Sequence, residues 1–170
     1  MTTAGRNSIT DFRIDAVLCD SAVTAEGKIY VQGGGWNMMS PPAFPAQLPR
    51  IGLAVCVSVP YTATNHNHTL EITLESEDGE IVSVGPPSSD PSDPASVPRP
   101  GKITAQFNMG RPPILQAGDA QTMPFAVNID GLMLASPGAY AFVIKIDDTE
   151  MERLAFRAVH QQSGNVRIGG

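Results

Sequence analysis

Three histidines are the residues in this chain whose type and spacing could hold a metal ion. His66 and His68 lie two positions apart, so on a strand they would point to one face, and only the fold could bring His160 to them. A structural zinc site needs four ligands, and a catalytic one needs three plus water. A polar loop whose side chains hydrogen-bond to the backbone explains the same residues without an ion. We therefore predict no metal and no cofactor, and keep a metal-dependent enzyme using these histidines as the least favoured alternative.

Carboxylates and thiols provide no stronger catalytic candidate. The acidic run at residues 147–152 lacks the ligand spacing of a calcium-binding EF-hand loop. Neither Cys19 nor Cys56 has a histidine or basic residue nearby in sequence that would activate its thiol. The Gly-x-Ser-x-Gly motif of many hydrolases is also missing. These observations predict a protein that is not an enzyme and has no catalytic residues.

Aromatic residues suggest a binding function as the second hypothesis. Tyr30, Trp36 and Tyr61 could stack on a sugar ring or another small ligand if they are exposed. A tryptophan in a β-sandwich is more often part of the core, because its burial removes a large apolar area from water. A small-ligand or carbohydrate-binding module therefore remains an alternative.

Apolar residues near Trp36 and at a proline-rich corner favour protein association as the leading hypothesis. The chain would act as a homo-oligomer or as a subunit of a larger intracellular or virion-type assembly, with a protein partner or a second copy as its ligand. Such patches, when exposed, mark interaction sites. The residues predicted to form the interface are Trp36, Met38, Met39, Phe44, Arg111, Ile114 and Leu115.

Composition excludes several other partners. The net charge is −6, and the 11 lysines and arginines are scattered singly, so we expect no nucleic acid and no anionic membrane as a partner. The first residues lack the apolar core of a secretory signal, and no run approaches the roughly 20 apolar residues that span a bilayer. We expect a cytoplasmic protein, in which the two cysteines are reduced and buried.

The elements that must position these residues are predicted from a period of two. About nine short runs alternate apolar and polar residues between turns rich in proline, glycine, asparagine and aspartate. Between Ile51 and Val59 the odd positions are large and apolar and the even positions are small, which predicts a central strand whose small face lies under something bulky. The fold predicted is all-β: a single antiparallel two-sheet β-sandwich, immunoglobulin-like or jelly-roll-like, with about nine strands and little helix.

Turn residues predict hairpins and the limits of the domain. We expect residues 14–20 to pair with residues 29–32, a second hairpin at Asp78-Gly79, and a third near residues 147–149. Residues 1–11 form a flexible polar arm, residues 12–160 form the domain with a proline-rich loop at 85–101, and residues 161–170 form a C-terminal tail.

Several stretches together resemble a known group of proteins. They are residues 17–22 (VLCDSA), 27–36 (GKIYVQGGGW), 44–49 (FPAQLP) and 137–140 (PGAY), with Phe156. Over roughly residues 14–158 the chain resembles an uncharacterised family of small bacterial β-sandwich proteins. The resemblance implies a cytoplasmic antiparallel sandwich. It implies no reaction, ligand or functional residue.

Overall fold

The computed structural model describes residues 11–85 and 101–161. The predicted arm apart from Asp11, residues 86–100 of the proline-rich loop, and residues 162–170 of the predicted tail lie outside the described residues. Within the described ranges there is no helix with the length and apolar character needed to cross a membrane.

The described residues form an all-β fold, as predicted. A 3₁₀ turn at Tyr61–Ala63 interrupts the strands. The strands are β1 (Arg13–Cys19), β2 (Ser21–Ala25), β3 (Lys28–Gln32), β4 (Met38–Met39), β5 (Ala46–Pro60), β6 (Asn67–Ser76), β7 (Ile81–Val82), β8 (Ile103–Asn108), β9 (Ala120–Leu134), β10 (Gly138–Ile146) and β11 (Thr149–Ala158).

The described strands number eleven and form three sheets, where the sequence predicted about nine strands in two. A three-stranded sheet has the order β1-β5-β9, and a two-stranded ribbon joins β2 to β3. A six-stranded sheet has the order β4-β11-β10-β6-β7, with β8 also paired to β6. Neighbouring strands are antiparallel except β4, which runs parallel to β11. The additional sheet is the ribbon, in which β2 was not predicted and β3 was predicted to pair with β1.

The two larger sheets share one hydrophobic core. Alternate residues of β5 point into it, and Leu53, Val55 and Val57 are fully buried there. Ile72 on β6 and Phe142 on β10 belong to the same cluster and are equally buried. Each such side chain stabilises the fold by about 1.5–3 kcal/mol through burial of its apolar surface. The period of two in the sequence thus identifies the faces that pack together.

The small face of β5 lies under the β2–β3 ribbon. A methyl group at Gly52 would be 2.8 Å from Cys19 Sγ and 3.0 Å from the backbone of Ser21, so glycine permits this close approach. The Asn128 side chain holds the ribbon in place, because its Nδ2 donates to the Ala22 carbonyl and its Oδ1 accepts from the Ala22 N–H. The ribbon's backbone is the cover that the small residues of β5 require.

The first predicted hairpin is wrong in its pairing. β3 pairs with β2, and β1 pairs instead with β5. The strand breaks at Asp20, and a tight turn at Glu26 and Gly27, both with positive φ, returns β2 into β3. The short β2 therefore takes the place beside β3 that the sequence analysis gave to residues 14–20.

The other two predicted hairpins are confirmed. Gly79 adopts φ +77° in the turn between β6 and β7. Asp147 and Asp148 adopt φ 47° and 65° between β10 and β11, a conformation that aspartate tolerates better than most residues. Both turns carry the residue types from which they were predicted.

Candidate functional site

Residues Gly35–Met39 join the two larger sheets along one side, and we call them the closing segment. Gly35 donates its N–H to the Leu18 carbonyl on β1 at 2.8 Å. Asn37 accepts at its carbonyl from the Arg157 N–H on β11 at 2.9 Å. Backbone bonds to both sheets therefore seal this side, which we call the closed side.

Trp36 packs between the sheets at the closed side. Its ring lies edge-on to Phe156 with the ring centroids 6.1 Å apart, and Phe156 stacks in turn on Tyr140 and Phe142. The indole is half-buried, and its Nε1 is buried without a hydrogen-bond partner among the described residues. Trp36 is thus a packing residue at the margin of the core, with one face outward.

Met38 is the exposed member of the predicted interface in this region. Its side chain is 60% exposed, whereas Met39 is half-buried. Trp36, Met38 and Met39 line a hollow of about 320 Å³ together with Leu48 and Ile51 of β5. The half-buried Phe44, which precedes a cis Phe44–Pro45 bond, lies edge-on to His160 at 5.1 Å.

The predicted interface residues at the proline-rich corner lie elsewhere. Arg111 Nε donates to Thr64 Oγ1 at 2.7 Å, Nη2 donates to the Tyr61 carbonyl at 2.9 Å, and its guanidinium carbon is 3.9 Å from the centre of the Tyr61 ring. Ile114 beside it is 85% exposed and Leu115 is half-buried. The Trp36 region contacts the start of β5 and this corner its end, and a strand of 15 residues is about 50 Å long. The seven residues therefore occupy two separate places.

The three aromatic residues considered for ligand binding are also separated. Tyr30 is 55% exposed on the outer face of the ribbon, directly opposite Val23. Tyr61 lines a different hollow, of about 410 Å³, at the far end of β5 from Trp36. Arg111 covers the Tyr61 ring. The fold places the rings apart rather than on one stacking platform.

The histidines do not converge. β6 begins at Asn67, so the exposed His66 precedes the strand. His68 Nε2 lies 2.9 Å from the Ala63 carbonyl and Nδ1 lies 2.7 Å from Asp147 Oδ2, so both ring nitrogens already have partners. His160 lies against Phe44. Within the described residues no group of three potential ligands is close enough to hold a metal ion.

The thiols are shielded from chemistry. Cys19 and Cys56 are both free. Burial raises the pKa of each thiol, and the nearby carboxylates of Asp20 and Asp15 respectively raise it further. Because the thiolate is the reactive form, both side chains stay in their unreactive protonated state at neutral pH.

The shared core is incompletely covered along the side opposite the closing segment. Here β8 and β9, the outer strands of their sheets, face each other, and Phe107 meets Phe125 with ring centroids 5.4 Å apart. Across residues 11–85 and 101–161 no backbone hydrogen bond links β8 to β9. We call this the open side. Its core-facing side chains that are half-buried are Ile103, Ala105, Met109, Met123, Phe125 and Val127.

The open side also lacks charge. Neither β8 nor residues 120–129 of β9 contain a lysine, arginine, aspartate or glutamate. On the closed side, β1 carries Arg13 and Asp15, and β11 carries four charged residues. The sequence analysis missed the open side, although two consecutive alternating runs without charge are visible in the sequence and were the signal that could have located it.

Comparisons with known proteins identify a family without a function. The model of a family of unknown function, DUF6941, matches residues 14–159. Among curated proteins nothing matches. A solved structure of a family 123 glycoside hydrolase from Clostridium perfringens matches with a TM-score of 0.34 and 13% identity, over 87% of this chain. The chain spans only 28% of that enzyme's length.

Proposed function

The chain belongs to the DUF6941 family of unknown function, and from that premise we propose that it is a non-enzymatic protein that acts through self-association. The observation that carries the proposal is the open side, where half-buried apolar side chains of the core lie between two uncharged strands. Continuous apolar surface along a strand margin favours association with another chain.

The strand edges of the open side support the same proposal. An outer strand presents unpaired N–H and C=O groups, and stable monomers protect such edges with charged residues, proline or a covering segment. Over residues 103–108 and 120–129 the chain supplies one proline and no charge. That protection is weak for two strands of this length.

Chemical reactivity offers no competing function of equal support. The described histidines are separated. Both thiols have a raised pKa, with Cys19 buried and Cys56 half-buried, and the carboxyl groups whose pKa is lowered are paired with arginine. The exposed Met38 and Ile114 add two further apolar surfaces, each at one end of β5. We propose these as secondary contacts in a larger assembly.

Two finer features belong to the proposal. The β1-β5-β9 sheet and the six-stranded sheet form the predicted two-layer sandwich, and the β2–β3 ribbon is an addition to its outer face. The association takes place in the cytoplasm, since two free thiols suit a reducing compartment.

Light scattering coupled to size exclusion tests the proposal. The full chain has a mass of 18.0 kDa, so a dimer is expected near twice that mass. We expect the mean mass to rise with loading concentration toward that limit. A single species at 18.0 kDa at every concentration would contradict self-association.

A further inference from the structure

We propose that the occupant of the open side is a second copy of this chain, bound by antiparallel pairing of β9 with β9 of the other copy about a two-fold axis. This inference rests on the proposed self-association and adds which strands of the two copies pair. It is separate from the closed side, where the closing segment bonds to both larger sheets.

The first argument concerns which backbone groups of β9 face outward. β9 pairs with β5 along its length, and Pro124 lies opposite Cys56 in that ladder. Because proline has no N–H, it is tolerated where that group would point away from the partner strand. The alternation of an antiparallel ladder then directs the N–H groups of Thr122, Ala126 and Asn128 to the same free edge. Apart from Pro124, this edge can accept another strand.

The second argument is electrostatic and favours a second copy over another protein. Two chains that each carry a net charge of −6 repel at any acidic contact, and a two-fold axis brings the same patch of both copies together. Residues 120–129 and 103–108 contain no charge, so they are surfaces on which identical copies meet without like-charge repulsion. A partner of opposite charge would instead be matched by acidic side chains.

The difference in burial between β9 and β5 also favours pairing at this edge. Met123, Phe125 and Val127 face the core and are half-buried, whereas their partners on β5, Val57, Val55 and Leu53, are fully buried. Pairing of β9 with its counterpart continues the three-stranded sheet into a six-stranded one. Each of these side chains then gains the neighbouring strand that its partner on β5 already has.

The experiment places a lysine on the free edge. Thr122→Lys changes an exposed residue of β9 and Thr24→Lys makes the same change on an exposed residue of β2, in the ribbon. Both variants should keep the circular dichroism spectrum of the parent chain. We expect Thr122→Lys to raise the dimer dissociation constant, measured by sedimentation equilibrium, on the order of tenfold, and Thr24→Lys to leave it unchanged.

Amide hydrogen exchange gives an independent measurement on the unmodified full chain. Peptides covering residues 120–134 should become more protected as the concentration rises through the dissociation constant, while peptides of β2 and β3 should not change. Self-association without this protection, or with equal effects of the two lysines, would overturn the β9 pairing and leave self-association standing. A protein that stays monomeric at every concentration would overturn both self-association and the β9 pairing. The same holds if β9 is protected in that monomer by another part of its own chain.

Discussion

The closed side and the open side differ in how the margins of the two larger sheets are joined over their shared core. Both lie where the margins of two sheets meet over a shared core. On the closed side the closing segment bonds to Leu18 in one sheet and to Arg157 in the other, and it inserts Trp36 against Phe156. On the open side, within the part of the chain that the structure describes, β8 and β9 meet through side chains such as Phe107 and Phe125.

The difference explains where charge is allowed. Strand margins that the chain itself seals can carry charged residues outward, as β11 does with Arg153 between Glu75 and Glu150. Margins that must meet an identical surface are better uncharged. Under the proposed self-association, the uncharged strands are the ones that meet a second copy.

The largest effect should come from removing one aromatic ring on each side. Phe156→Ala opens a cavity beside Tyr140, Phe142 and Trp36, and should lower the free energy of unfolding by about 3–5 kcal/mol. Phe125→Ala removes a half-buried ring, and should lower the free energy of unfolding by about 1–3 kcal/mol in the dissociated chain. Urea denaturation at low protein concentration measures both.

The two variants should also differ in how their loss of stability depends on protein concentration. If the open side is an interface, the loss caused by Phe125→Ala should grow with concentration, because mass action stabilises the parent dimer more than the variant. The loss caused by Phe156→Ala should not grow. Equal losses from both variants at low concentration would mean that the open side is packed as completely as the closed one.

A medium effect is expected from the polar anchor of the open side. His68 lies on β6 opposite Phe107 of β8, and its ring bonds to Asp147 and to the Ala63 carbonyl. His68→Ala should lower the free energy of unfolding by about 2–3 kcal/mol, because two hydrogen bonds and a mostly buried ring are lost. The measurement is thermal and urea unfolding at neutral pH.

His66→Ala is the matched control for this variant. His66 is exposed and precedes the strand, so its replacement should change stability by no more than about 0.5 kcal/mol. A similar loss from both histidines would show that the anchoring role of His68 is wrong.

What the sequence could predict follows from which contacts are local. Alternation along β5 identified its buried residues because side chains of a strand point to opposite faces in turn. The small face of β5 correctly indicated that another part of the chain packs closely against it. At Gly52 the backbone of Ser21 comes so near that a side chain would not fit. That the β2–β3 ribbon forms this cover was not predictable. The pairing of β2 with β3 depends on the end of strand β1 before Asp20, which the alternation of apolar and polar residues does not mark.

The candidate site was harder to predict than the fold for a related reason. Trp36 was recognised as important, but its role depends on backbone bonds to Leu18 and Arg157, residues far apart in sequence. The histidines are near one another in sequence only as a pair, and the fold gives His68 different partners. The two uncharged runs are visible in the sequence, but that both of them lie at sheet margins is known only from the strand order.

The smallest effect on stability is expected at Asp130, the first charged residue of β9. Arg50 on β5 bonds to Asp130 with Nε–Oδ1 at 2.6 Å and Nη2–Oδ2 at 3.1 Å, and this hydrogen bonding lowers the pKa of the carboxyl group below 3.8. A lowered pKa means that the folded state favours the ionised form, so the pair stabilises the fold at neutral pH. The contribution is lost as the pH falls through the folded-state pKa.

Asp130→Asn tests this at the margin of the uncharged stretch. The parent chain should be slightly more stable than the variant at neutral pH, and the difference should vanish well below pH 3.8. Because the pair is exposed, the difference should be smaller than for the Phe156, Phe125 and His68 variants and should shrink with added salt. A difference in stability that persists in acid would mean that Asp130 acts through packing rather than through its charge.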